Sequence, residues 1–250
     1  MTPDGIDRSF ASPNHGLRPP GTPIDHLVLH YTGMRGEDAA RDWLCDPRSQ
    51  VSCHYLVYED GRVFQLVDEN QRAWHAGKSV WRGVTDINSR SIGIEICNPG
   101  HEFGYKLFGD RQIEAVIGLC RSVFSRHFIP PHQVVAHSDI APTRKADPGE
   151  FFPWEWLAAR GIGLFVPPAP LDHQPALGFG DGGEEVLALQ QQLSDIGYGV
   201  PKTGRFGELT QAVVRAFQRH WRPAHIDGVV DASTRDTLSR LHAIVPSANA

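Results

Sequence analysis

Between residues 24 and 165 short alternating apolar runs are interleaved with stretches of helical spacing, the pattern of a mixed sheet covered by helices. Leu27, Leu29 and Tyr31 alternate with Val28, His30 and Thr32, which predicts a strand ending near His30. Tyr55–Val57 and Val63–Val67 flank Glu59-Asp60-Gly61, a hairpin signal. Ile92, Ile94 and Ile96 form one apolar face of a further strand and leave Gly93, Glu95 and Cys97 on the other. From Asp110, a candidate N-cap, the residues Ile113, Val116, Ile117, Cys120, Phe124 and His127 or Phe128 keep helical spacing up to Pro130 and Pro131. A last strand, Val134–His137, follows.

The pattern breaks at Val166. Pro167, Pro168, Pro170 and Pro175, then Gly178, Gly180, Gly182 and Gly183, make a poor packed element and a good linker. We therefore expect a large domain over 1–165, a linker over 166–182 and a small domain over 183–250. Three short helices are legible in that last part: Val186, Leu189, Leu193 and Ile196; Leu209, Val213, Ala216, Phe217 and His220; Leu238, Leu241 and Val245. Thr203–Thr210 and Asp227–Thr234 resemble each other as turn-plus-helix starts, which hints at an internal repeat of about two dozen residues.

Composition narrows the class of function. With 250 residues, 40% hydrophobic and 21% charged, the chain suits one large globular domain plus a small module. A formal net charge of -5 offers no basic field, so nucleic acid is not an expected partner. No apolar run is long enough to span a bilayer, and Met1 to Pro20 lack the basic start and apolar core of a secretory signal. The expected compartment is the cytoplasm, or the periplasm if a leader has been removed or another export route is used. Cys45, Cys53, Cys97 and Cys120 show no CxxC spacing and read as reduced thiols, two of them within apolar patterns.

Candidate chemistry gathers on a few polar residues. His30 and His137 end strands, and Asp147 follows His137 by ten positions in a polar segment; two histidines and a carboxylate are a common zinc set that leaves room for water. Taken singly, such a histidine is more often packed or solvated than a ligand, and the spacing is not that of close-set ligands such as HExxH. Lys145 and Asp147 are two apart and can face one centre from an extended loop, although a surface ion pair has the same spacing. Glu95, inside Ile92-Gly-Ile-Glu-Ile96, fits either a solvated strand face or a functional carboxylate, because a buried one needs a partner.

Five ordered segments change the weight of these residues: Val28-Leu-His-Tyr-Thr32, Ser52-Cys-His-Tyr55, Trp74-His-Ala-Gly77, Ser91-Ile-Gly-Ile-Glu-Ile96 and Val135-Ala-His-Ser-Asp-Ile-Ala-Pro-Thr-Arg-Lys-Ala-Asp-Pro-Gly149. Together they closely resemble the type 2 N-acetylmuramoyl-L-alanine amidases, in the AmiD/AmpD-like branch, and the likeness runs through Phe152-Pro-Trp154 into the tail. The resemblance implies an α/β fold with a central mixed sheet flanked by helices. It also implies one catalytic zinc ion held by His30, His137 and Asp147, with Glu95 as general base and Lys145 stabilising the oxyanion. His54, Trp74, His75, Asn98 and Arg144 are the residues it suggests for the substrate groove. The implied reaction is hydrolysis of the amide between N-acetylmuramic acid, or its anhydro form, and L-alanine in peptidoglycan or muropeptides, by a monomer. Relatives of this fold also bind wall fragments without cutting them, so a recognition protein is the alternative, and a zinc peptidase is a third reading. Gly197-Tyr-Gly-Val200, Thr203-Gly-Arg-Phe-Gly207, Ala216-Phe-Gln218 and Asp227-Gly-Val-Val-Asp231 resemble the small helical peptidoglycan-binding module, a three-helix domain; Gly-Val-Pro201 departs from that module's longer polar loop.

Overall fold

The computed structural model describes residues 5–171 and 176–246; Pro175 of the expected linker, with residues 1–4 and 247–250, lies outside the described residues. In chain order the elements are β1 (Ile6–Asp7), β2 (His15–Leu17), β3 (His26–Tyr31), α1 (Glu37–Leu44), β4 (Tyr55–Val57), β5 (Val63–Gln65), β6 (Gln71–Ala73), α2 (Ile87–Arg90), β7 (Ser91–Ile96), α3 (Gly100–Phe103), α4 (Asp110–Phe124), β8 (Val134–Ala136), α5 (His137–Ile140), α6 (Trp154–Ala158), α7 (Glu184–Ile196), α8 (Glu208–Trp221) and α9 (Ala232–Ile244). The main sheet has the order β1-β5-β4-β7-β3-β8, and β2 pairs with β6 in a separate ribbon. In the main sheet β4 and β5 form the antiparallel hairpin, while β4, β7, β3 and β8 run parallel, so the sheet is mixed as expected.

Both faces of the central strands are covered, for different reasons. Leu27 and Leu29 of β3 and Ile92, Ile94 and Ile96 of β7 bury one face against α4, through Ile113, Val116, Ile117 and Cys120. On the opposite face, Val28 of β3 and Val135 of β8 join a core made largely by Val186, Leu193, Val213, Phe217 and Leu241 of the three C-terminal helices. The C-terminal region is thus packed as a layer over the main sheet. Leu56, Tyr58, Phe64 and Cys97 close the hairpin end as a smaller cluster.

The seam between the two regions is specific. Arg82 donates to the carbonyls of Asp195 and Ile196 at the end of α7, at 3.3 and 3.1 Å, where the helix leaves acceptors unpaired. The Trp81 ring meets Tyr198 edge-on at 5.0 Å between centroids, and a Cβ at Gly197 would come within 2.6 Å of that indole, so glycine permits the approach. The linker is tied as well: Ala169 N–H donates to Thr237 Oγ1 and its carbonyl accepts from Ser233 Oγ, at 3.0 and 2.7 Å.

The hinted repeat has a physical basis. Gln190 accepts the N–H groups of Thr203 and Gly204 and donates to Arg205 O and Thr210 Oγ1. Gln218 makes the same set with Asp227, Gly228, Val229 O and Thr234 Oγ1, so each loop is folded around one buried glutamine. Both amides are fully buried, which their complete hydrogen bonding permits.

Several local expectations are corrected. Gly109, not Asp110, caps α4; Asp110 is its first residue, where its charge suits the positive end of the helix. That helix stops at Phe124, and Phe128 is 86% exposed. β5 is shorter than Val63–Val67, Leu209 is exposed, and His137 opens α5 instead of ending β8. All four cysteines are free, with Cys53, Cys97 and Cys120 buried. Among the described residues no helix is long and apolar enough to cross a membrane.

Candidate active site

Strand register assembles the site. In the parallel pair β3·β7, His30 stands opposite Glu95, and in β3·β8, Leu29 stands opposite Ala136, which brings the next residue, His137, beside His30. Three candidate side chains therefore meet where parallel strands end, the usual place for a site in such sheets. Asp147 is returned to this point by the loop after α5, where the Ser138 N–H donates to the Asp147 carbonyl at 3.0 Å.

The three candidate ligands converge closely. His30 Nδ1 lies 2.9 Å from His137 Nδ1, and both lie 3.0 Å from Asp147 Oδ2. The other ring nitrogens are committed. His137 Nε2 faces the Ala76 carbonyl at 3.1 Å, and a carbonyl only accepts, so this nitrogen carries hydrogen and Nδ1 is bare in the neutral ring. For His30 the constraint runs further: Nε2 meets His75 Nδ1 at 3.0 Å, His75 Nε2 meets Ser91 Oγ at 3.0 Å, and Ser91 donates to the Ile87 carbonyl at 2.7 Å. The terminal carbonyl sets the direction of every donor in that chain, leaving His30 Nδ1 bare too. Two imidazole lone pairs and a carboxylate oxygen then point at one another, and a cation between them satisfies all three. These residues fit a metal ion, and they are the group among the described residues with that geometry.

Burial tunes the same groups. It pushes His30 down to about 4, and the closeness of a second imidazole, His137, acts in the same direction. Burial opposes the Asp147 charge, but the two histidines outweigh it and hold the carboxyl well below the usual range. Glu95 is pushed well up, first by burial and then by the Asp147 charge, with Lys145 acting in the opposite sense. Its Oε1 is 3.9 Å from His30 Nδ1 and its Oε2 has no hydrogen-bond partner. A carboxylate of raised affinity for protons with a free oxygen is equipped to take and return one.

A cleft of about 480 Å³ opens over this centre, lined among others by Glu95, His137, Lys145, Asp147, Trp74, His75 and Arg144. Of the expected groove residues, Trp74 is half-buried on its wall, and exposed Arg144 is fastened to the carbonyls of Ala76 and Lys78. His75 touches the cleft but is 92% buried, and Gly93 makes room for it: a Cβ there would come within 2.4 Å of the ring. Two expectations are corrected. His54 is wholly buried, its Nδ1 accepting from Gly93 N–H and its Nε2 held by Arg18 and the Gln71 carbonyl, so it does not line the cleft. Asn98 is also buried, bridging the Lys106 carbonyl and Gly100 N–H to shape the next loop. The sequence pattern does not single out Ser91, Tyr31 or His101. Ser91 has a readable signal, since it shares a strand face with Gly93 and Glu95; Tyr31 and His101, joined at 2.8 Å on the cleft wall, meet across 70 residues and have none.

The chain is similar to known amidases in sequence and in fold. Residues 20–150 match the family described as N-acetylmuramoyl-L-alanine amidase, and residues 182–238 match the one described as "Putative peptidoglycan binding domain". The chain is 40% identical over 224 residues to N-acetylmuramoyl-L-alanine amidase AmiD of Escherichia coli, covering 85% of this chain and 80% of that protein. It is 32% identical over 166 residues to 1,6-anhydro-N-acetylmuramyl-L-alanine amidase AmpD of Haemophilus influenzae, covering 59% of this chain and 88% of that one. Among solved structures, E. coli AmiD in complex with anhydro-N-acetylmuramic acid-L-Ala-D-gamma-Glu-L-Lys superposes with a TM-score of 0.75 at 37% identity, over 89% of this chain and 90% of that chain. AmpDh3 of Pseudomonas aeruginosa gives 0.73 at 30% identity, over 92% and 95%.

Proposed function

The chain belongs to the N-acetylmuramoyl-L-alanine amidase family, and on that premise we propose that its centre is a zinc site at which Glu95 and Lys145 carry the proton transfer and the charge stabilisation of amide hydrolysis. The bond cut joins N-acetylmuramic acid, or the anhydro sugar, to L-alanine in a muropeptide or in peptidoglycan. The observation that carries the reading is the convergence of His30 Nδ1, His137 Nδ1 and Asp147 Oδ2 within about 3 Å of one another, directly beside Glu95. Zinc suits two imidazoles and one carboxylate with a position left open, and when bound it supplies a Lewis acid that brings the pKa of water down to about 7.

The chain's own groups do the rest. Glu95 takes the proton of the attacking water through its unpartnered oxygen, then returns it to the alanine nitrogen, which leaves poorly unless protonated. Lys145, exposed on the cleft wall, stabilises the oxygen as it gains negative charge; losing one such group typically costs on the order of a hundredfold in rate. Trp74 and Arg144 contact the substrate from the cleft wall in this reading. Action as a monomer is part of the same proposal. The division into a catalytic domain through residue 165, a linker over 166–182 and a helical domain from 183 belongs to the same proposal.

The test is digestion of an anhydro-muropeptide and of purified sacculi by the zinc-loaded chain, followed by mass spectrometry. Free stem peptide beginning with L-alanine is expected from both. Intact substrate, or cleavage only inside the stem peptide, would overturn the assignment.

A further inference from the structure

The helix that presents His137 is too short to hold itself. α5 is four residues long and closes on the Ala141 N–H bond to the His137 carbonyl, at 3.0 Å. Its third residue, Asp139, is 1% exposed and accepts three hydrogen bonds. One comes from the Ala136 N–H at the start of the turn, at 2.9 Å. The other two come from the C-terminal region: Tyr198 Oη at 2.8 Å and His220 Nδ1 at 2.7 Å, 59 and 81 residues away. A carboxylate only accepts, so the His220 Nδ1 carries the proton.

Both donors are rigidly seated. Tyr198 is 2% exposed, with its ring against Trp81 and Phe217. The His220 imidazole is stacked between Trp154 and Trp221, at 3.8 and 4.1 Å between centroids. The turn they grip carries more than His137, because its Ser138 N–H also holds the Asp147 backbone.

We propose that the C-terminal helical region is a positioning element of the metal centre: Tyr198 and His220 clamp Asp139 and thereby orient the turn that presents His137 and anchors Asp147. This rests on the reading of His137 as a metal ligand. A tail that served only to hold the enzyme on polymer would have no need of a buried, doubly clamped carboxylate two residues from that histidine. Side-chain partners behind a metal ligand commonly alter affinity about tenfold or more when removed.

The experiment compares full-length variants, stripped of metal and titrated with zinc in competition with a chromophoric chelator, with thermal melting of each metal-free form. Tyr198→Phe deletes one hydroxyl and keeps the ring; zinc affinity is expected to fall roughly tenfold. His220→Leu should lose affinity similarly, and His220→Asn, which can place an amide N–H near Nδ1, should recover part of it. Gln218→Ala disrupts a loop inside the C-terminal region without touching α5, and should lower the melting temperature while leaving zinc affinity at the wild-type value. Wild-type affinity in both Tyr198→Phe and His220→Leu, with melting alone reduced, would overturn the positioning role. Failure of the unaltered chain to bind zinc would instead overturn the ligand assignment.

Discussion

Ser91 Oγ lies 3.0 Å from His75 Nε2 and spends its own hydrogen on the Ile87 carbonyl, so the serine can only accept from the imidazole. That polarity passes through His75 to His30 and leaves His30 Nδ1 free toward His137 and Asp147. A hydroxyl two positions along β7 from Gly93 thus selects the tautomer of a candidate ligand on β3. Removing it by Ser91→Ala frees the His75 ring to turn over. Zinc affinity, read by chelator competition, is expected to fall about tenfold with little change in melting temperature. Unchanged affinity would mean that the serine does not set the ring.

Glu95→Gln keeps the shape of the side chain but cannot accept a proton. Turnover of a soluble anhydro-muropeptide is expected to fall by roughly 10²–10⁴, with zinc content and substrate binding retained. Stopped turnover accompanied by loss of zinc would point to a structural part for Glu95 instead.

The clearest pH-dependent contribution to stability lies away from the centre, at Glu69. Burial disfavours its charge, but hydrogen bonds from Arg126, Tyr55 and His127 outweigh this and bring it from 4.5 down to about 2. A folded-state value below the unfolded one means that stability is fully present above the unfolded value and is lost as the pH falls through the folded one. Glu69→Gln should therefore destabilise the metal-free protein clearly at pH 6 and progressively less between pH 4.5 and about 2, as urea denaturation at each pH would report. A penalty independent of pH would contradict the charge-based account.

Deleting the C-terminal region should disrupt the fold itself. Val28, Val135, Trp81 and Ile140 share one core with α7, α8 and α9, so a chain ending near residue 171 exposes them. Loss of the cooperative melting transition and equal loss of activity on sacculi and on soluble muropeptide are expected. Within the intact chain Phe217→Ala should cost about 3–5 kcal/mol, because the ring is fully buried at that shared core. Full activity of the truncated chain on soluble muropeptide would make the C-terminal region a tether alone.

By itself the sequence determined the strands β3, β4, β5, β7 and β8, the long helix α4 and the three C-terminal helices, and through its resemblance to a family it named the residues that could hold a metal, whereas the short strands β1, β2 and β6 carried no readable pattern. The elements follow from local periodicity, and the candidate ligands from the likeness of five ordered segments spread over residues 28–149. Alternation on β7 already separated Glu95 from the isoleucines that face α4, and the structure keeps them in different surroundings. What local pattern could not decide was which polar side chains on a strand meet a cleft and which meet one another. His54 and His30 both lie on or beside strands of the same sheet, yet Arg18 and the Gly93 backbone close around one while the carboxyl ends of three strands open around the other. The Pro/Gly-rich composition after Val166 likewise suggests a loose connection, whereas the tertiary structure lays the C-terminal helices on the open face of β3 and β8. Hydrophobic burial has no memory of chain distance: Val28 and Phe217, far apart in sequence, belong to one core only in the folded chain.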